Sequence, residues 1–172
     1  MIASVLPGRQ DEPIQCQIQQ VSMKDTSVRF IALSYCWNTT SAEEIIWVDG
    51  RPLKVTPNLY AALRNARATT TRVNLWIDQI CVDQQNTIDR NEQVGKMGAI
   101  FRAASGVIVW LGQEGHGTAA AMELPKRIRH LTDRTKTPPE CPVWGEGAWP
   151  AFIMLLTRPW FRRLWIIQEI VC

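Results

Sequence analysis

The sequence predicts an α/β fold: a central, largely parallel sheet with helices on both faces and an antiparallel hairpin added to it. Three observations carry this. The runs FIALSYCW (30–37), VNLWID (73–78) and GVIVWL (106–111) have the length and apolar density of buried strands. Helix-length amphipathic segments separate them, the alternation of a sheet built by crossovers. Between IIWV and RPLKV, Asp49-Gly50 suits a two-residue type I′ turn, which joins neighbouring strands directly.

The elements follow in order. IQCQIQQV (14–21) alternates apolar and polar residues like a half-buried strand, and 30–37 reads as an interior one. The hairpin covers 45–55. Thr56-Pro57 then opens a helix through Arg67, because proline suits a first turn and Leu59, Ala62, Leu63 and Ala66 form one stripe. Strand 73–78 ends in a carboxylate and runs into QICVDQQN. The spacing of Val94, Met97, Phe101 and Ala104 predicts a helix over 89–104. Strand 106–111 is bounded by Gly106 and Gly112 and reads as buried. A helix over 118–131 follows, then a Pro- and Gly-rich surface loop over 135–147. Two helices, 148–157 and 159–171, close the chain.

With 172 residues, 46% of them hydrophobic, one domain spanning 1–172 with a substantial core is expected. Six of the eight tryptophans (37, 47, 76, 110, 160, 165) sit in apolar runs and are expected in that core. A net charge of +3 without a dense Lys/Arg block argues against nucleic acid and membrane as partners. The five cysteines are scattered and odd in number, without a CxxC pair, and the two histidines lack ligand spacing. No metal site or disulfide framework is predicted; reduced thiols point to a cytoplasmic protein. Cys172 ends a helix without a cap, so the chain reads as the N-terminal fragment of something longer.

The C-terminal segment RPWFRRLWIIQEIVC holds the leading candidate for chemistry. As one helix it is apolar nearly all round, with Trp160, Leu164, Ile167 and Val171 on one side, and such a helix is buried. Opposite them lies Glu169, with Arg158, Arg162 and Trp165 on its own narrow side. A buried carboxylate has either a structural ion-pair partner or a task. Both readings remain open for Glu169.

Parallel sheets collect ligands beyond the carboxyl ends of their strands. Those ends hold Ser34, Tyr35 and Trp37; Asp78, Gln79 and Cys81; and Trp110. This is a polar and aromatic lining suited to a ligand with flat rings. Each residue also has a plainer reading. The tryptophans serve equally as core, and Asp78 serves as a cap on the turn that follows it. Cys81 with His116 or His130 makes a poor thiol-protease dyad, and neither GxGxxG nor a Walker loop is present.

ALSYCW (32–37), LWIDQICVDQ (75–84), RNEQVGKM (90–97), VIVWLG (107–112) and RPWFRRLWIIQEI (158–170), in that order, resemble the fungal heterokaryon incompatibility domain. Asn38 stands where that family usually has glycine, and Val82 where it usually has isoleucine. The strand endings and Trp165-Ile166-Ile167-Gln168-Glu169 are also similar to the Toll/interleukin receptor-type (TIR) domain, whose enzymatic members cleave NAD through a Trp-Cys-x-x-Glu glutamate. This chain lacks the cysteine of that motif. The resemblance implies a TIR- or flavodoxin-like sheet and a role in cell death on non-self recognition. It further implies NAD+ as substrate, with no prosthetic group, and self-association when active. Glu169 would then be the catalytic group, Arg162 would meet a phosphate, and Trp37, Trp110 or Trp165 would stack on a ring. A non-catalytic signalling module that triggers death through partners fits the same resemblance.

Overall fold

In the computed structural model, residues 1–22, 25, 27–37, 43–132 and 148–170 are described. The loop expected over 135–147 lies outside them. The chain forms two compact units, one of Met1–Gly112 with Arg163–Cys172 and one of Gln113–Arg162.

The first unit is built on seven strands: β1 (Ile2–Val5), β2 (Gln15–Gln19), β3 (Ile31–Tyr35), β4 (Glu44–Val48), β5 (Arg51–Val55), β6 (Val73–Trp76) and β7 (Gly106–Trp110). They form one sheet in the order β5-β4-β2-β1-β6-β3-β7. The three apolar runs are neighbours and parallel, as their composition predicts. The sheet as a whole is mixed, however, because β1 pairs antiparallel to both β2 and β6. Strand β1 has no counterpart in the sequence reading. Its four residues are too few to show a period, and Pro7 and Gly8 read there only as breakers.

The hairpin forms as predicted, with Asp49 at φ 48° and Gly50 at φ 76°. Two positive φ angles are what a type I′ turn requires, and glycine tolerates its position at little cost. The Asp49 carboxylate also accepts from the Ile18 N–H at 3.2 Å, tying the turn to β2.

Helices cover both faces. Helix α1 (Pro57–Ala66) is capped by Thr56, whose side chain accepts from the Leu59 N–H, and it buries Leu59, Ala62 and Leu63. After β6 come a single turn, α2 (Asp78–Cys81), and then α3 (Thr87–Ala103). On α3 the buried residues are Met97, Ile100 and Phe101, while Val94 is 39% exposed, so the stripe is rotated from the one predicted. Phe101 stands edge-on to Trp76 at 5.6 Å. Trp76 is level with Ala32, whereas the Trp110 indole is level with Tyr35 and donates to Asn58 of α1. Ala32 and Tyr35 are three apart on one strand and face opposite sides, which puts α3 and α1 on opposite faces. The crossover that enters β6 therefore carries α1 on one face, and the crossover from β6 to β7 carries α3 on the other. The carboxyl end of β3 is the point where the crossovers part, the place where such sheets take ligands.

Two burial expectations fail. Strand β7 reads as buried from its composition, but it is an edge strand, with Val107 and Val109 37% and 36% exposed. Of the six tryptophans expected in the core, Trp76 and Trp160 are buried and Trp110 is half-buried. Trp37, Trp47 and Trp165 are 39%, 41% and 43% exposed.

The second unit holds α4 (Thr118–Thr132) and α5 (Ala148–Leu156), followed by a 3-10 turn, Pro159–Arg162. Ala121, Leu124, Leu155 and Trp160 are its buried apolar residues among those described. Gly117 sits at φ 80°, and a Cβ there would lie 3.0 Å from that of Ala151, so a larger residue would be strained in its backbone and would crowd Ala151.

The predicted continuous helix over 159–171 does not form. The chain makes the 3-10 turn, then α6 (Ile166–Ile170), which belongs to the first unit. Leu164 and Ile167, expected to be buried beside Trp160, are 90% and 72% exposed. The apolar pattern matched a helix, but an apolar residue is not obliged to be inside. No helix among the described residues is long and apolar enough to cross a membrane.

Candidate functional site

Three separate segments of the first unit meet at the carboxyl end of β3. Ser34 is buried on the face opposite Tyr35, because neighbouring strand residues alternate. Its hydroxyl donates to Oε2 of Glu169, which arrives on α6. Glu169 is 2% exposed. Arg163 grips both its oxygens, Nη1 to Oε2 at 3.0 Å and Nη2 to Oε1 at 2.7 Å. This fork-to-fork contact is the strong, geometrically specific form of the ion pair. It satisfies a carboxylate that would otherwise be costly to bury.

On the other side of the same strand end, the Tyr35 hydroxyl donates to Oε1 of Gln79 at 3.2 Å. The Trp37 indole N–H donates to Oδ2 of Asp78 at 3.0 Å, and the Gln79 amide N–H to its Oδ1 at 2.7 Å. Burial lifts the Asp78 carboxyl above its ordinary value; the donors Trp37 and the Gln79 backbone amide, and the charge of Arg163, offset part of this. Burial and the Asp78 charge hold the Tyr35 phenol well above its usual range. Arg163 thus acts electrostatically on both halves of the cluster. The side chain of Gln84 braces the turn by donating to the Asp78 carbonyl at 2.8 Å.

Of the residues singled out in the sequence, Ser34, Tyr35, Trp37, Asp78, Gln79 and Glu169 come together. Cys81 does not join them. Its thiol lies in the hydrophobic core, accepts from the Ile77 N–H at 3.5 Å, and is pushed up to about 11 by burial. Trp110 is across from Tyr35, yet its N–H is committed to Oδ1 of Asn58 at 2.9 Å, and Asn58 in turn donates to the Cys36 carbonyl. Trp165 precedes α6, 43% exposed, with its carbonyl accepting from the Glu169 N–H. Arg162 is exposed at the end of the second unit.

Arg163 is the residue that the sequence reading missed. A continuous helix places Arg162, seven residues before Glu169, on its side, and a residue six before it on another. The break after Arg162 reverses that choice. The only signal in the sequence is Pro159, which starts a helical turn but does not say where the turn ends.

Ser34 and Glu169 are shut from solvent, while Trp37 is 39% exposed and Asp78 half-buried. A cavity of about 190 Å³ in this unit lies instead against Ile2, Phe30, Trp76 and Ile100. Chemically, the cluster offers a carboxylate bound by a serine hydroxyl and a guanidinium, with an indole at its open margin.

The family model described as heterokaryon incompatibility protein matches residues 30–169, which includes every residue of this cluster. The chain is similar to heterokaryon incompatibility protein 6, OR allele, of Neurospora crassa, with 29% identity covering 81% of this chain and 27% of that protein. It thus spans about a quarter of that relative's length. No solved structure matches.

Proposed function

The chain belongs to the heterokaryon incompatibility family, and from that premise we propose that it is the death-effector domain of a non-self recognition system, acting by hydrolysis of NAD+ with release of nicotinamide. The observation that carries this reading is the convergence of Ser34, Arg163 and Glu169 at the carboxyl end of β3. An α/β sheet offers its ligand site at that position. The parallel trio β6-β3-β7, entered and left across opposite faces, is the TIR- or flavodoxin-like part of the fold in this reading.

The chemistry asks for one carboxylate. As the bond from the ribose C1′ to the nicotinamide nitrogen breaks, its electron pair leaves with the nicotinamide, and the sugar develops oxocarbenium charge. Glu169 stabilises that charge and accepts from a ribose hydroxyl; water then adds to C1′ and loses a proton. Substrate entry transfers Arg163 from Glu169 to a phosphate, to which its fork is equally suited. Trp37, half open at the margin, stacks on a ring of the dinucleotide.

One observation favours a second reading. A glutamate that is 2% exposed and bound at both oxygens is also what a structural lock looks like. The domain would then signal death through partner proteins without chemistry of its own. Nicotinamide release from NAD+ by the purified chain, at concentrations that promote association, separates the two. For the enzyme, Glu169→Gln should lower the rate by about two or more orders of magnitude while the protein stays folded. Full activity in Glu169→Gln makes Glu169 structural. An inactive wild type that still kills cells when overexpressed leaves the signalling reading.

A further inference from the structure

The two edges of the seven-stranded sheet are built differently. At one edge, β5 carries Arg51, Pro52 and Lys54 within five residues. Proline has no N–H to donate and charged side chains resist desolvation, so that edge turns other strands away. At the other edge, β7 reads Gly-Val-Ile-Val-Trp, without a charge or a proline. Among the described residues it pairs with β3 alone, in parallel register from Ile31↔Gly106 to Tyr35↔Trp110. Alternate N–H and C=O groups of such a strand point outward, and among the described residues no strand receives them. The side chains beside them are open: Val107 and Val109 are 37% and 36% exposed, and a Cβ added at Gly106 would meet nothing within 4 Å.

We propose that β7 is a self-association edge, which takes the β7 of a second copy of this chain in antiparallel, two-fold pairing and joins two seven-stranded sheets into one. The strand's own sequence fits itself in that arrangement. Centred on Ile108, the pairing sets Val107 opposite the partner's Val109 twice over, on one face. Cross-strand β-branched pairs of this kind stabilise a ladder. It also sets Gly106 opposite the partner's Trp110, so a missing side chain faces the largest one. No like charges meet, because β7 has none. A two-fold contact needs only one self-complementary patch. This inference concerns assembly and stands whether or not the chain cleaves NAD+.

The test is sedimentation velocity of the 172-residue chain over a roughly hundredfold range of concentration, since a dimer forms by mass action. Wild type should shift from monomer toward dimer. The variant carrying Val107→Lys and Val109→Lys should need at least about tenfold more protein for the same shift, because positions 107 and 109 face each other across the two-fold ladder and would set like charges directly opposite. The variant with threonine at both positions, β-branched and uncharged, should associate like wild type. Amide hydrogen exchange on unmodified protein supplies a check independent of mutant folding. Outward amides of β7 should gain protection as concentration rises, while those of β5 should not. A wild type that stays monomeric throughout, or a lysine variant that associates as well as wild type, overturns the proposal. So does a dimer that forms without added protection in β7.

Discussion

Removing the Arg163 guanidinium would leave a carboxylate that is 2% exposed with, among the described residues, only the Ser34 hydroxyl to answer it. Breaking a buried pair from one side typically costs about 3–5 kcal/mol. The Arg163 side chain is 18% exposed, so Arg163→Gln should fall near the lower end, about 3 kcal/mol in a urea titration. Glu169→Gln should cost less, about 1–2 kcal/mol, because the arginine can turn to water and the amide can still accept from Ser34. The double variant should show a coupling of at least about 1 kcal/mol. A loss below about 0.5 kcal/mol in Arg163→Gln would mean that the pair does not hold α6 down. Asp78 makes the opposite kind of prediction. Its folded-state affinity for a proton is raised above the ordinary carboxyl value of 3.8. The folded state therefore binds more protons than the unfolded chain in this range, and stability falls as pH rises from about 3.8 through the raised value. Asp78→Asn keeps an acceptor for the Trp37 indole but removes the charge. Urea titrations across the acid range should show it losing that slope and exceeding wild type in stability at neutral pH. An unchanged slope would refute the assignment to Asp78. Groups held at a cost to stability are common where function is done.

At the scale of elements, the C-terminal segment shows how one apolar pattern supports two structures. A continuous helix puts Leu164 on the buried stripe with Trp160, whereas the 3-10 turn and α6 leave Leu164 90% exposed and Trp160 at 4%. Leu164→Lys should therefore change stability by no more than about 0.5 kcal/mol. Trp160→Ala should cost about 3–5 kcal/mol through the void it leaves. Thermal or urea unfolding of the two variants decides between the structures, and comparable losses in both would restore the continuous helix. The hairpin is the contrasting case. Asp49-Gly50 admits few other conformations, so its turn was legible from two residues.

Over the whole molecule, buried apolar side chains are distributed unevenly. The continuous core, from Ala3 to Phe101, lies in the first unit. Among described residues the second unit buries Ala121, Leu124, Leu155 and Trp160. Elements with few buried apolar contacts open at lower free energy. Native-state hydrogen exchange should accordingly find the amides of α4 and α5 opening well before those of β3 and β6. Equal opening free energies for both sets would show that the units unfold as one.

Local chemistry makes much of this protein readable in its sequence. The Thr56 cap, the Asp49-Gly50 turn and the three apolar strands each rest on interactions within a few residues, and each stands where the sequence predicts it. Because parallel strands share a carboxyl edge, the grouping of Ser34, Tyr35, Trp37, Asp78 and Gln79 was legible as well. The rest depends on partners distant in sequence. β1 is a strand because β2 and β6 flank it, and β7 is exposed because no strand among the described residues follows it in the sheet. Cys81 faces the core because α2 turns it there, and Arg163 replaces Arg162 at Glu169 because the chain breaks between two units. Composition reports that a residue can be buried. Only the packing of distant segments decides which residues are, and which charge meets which.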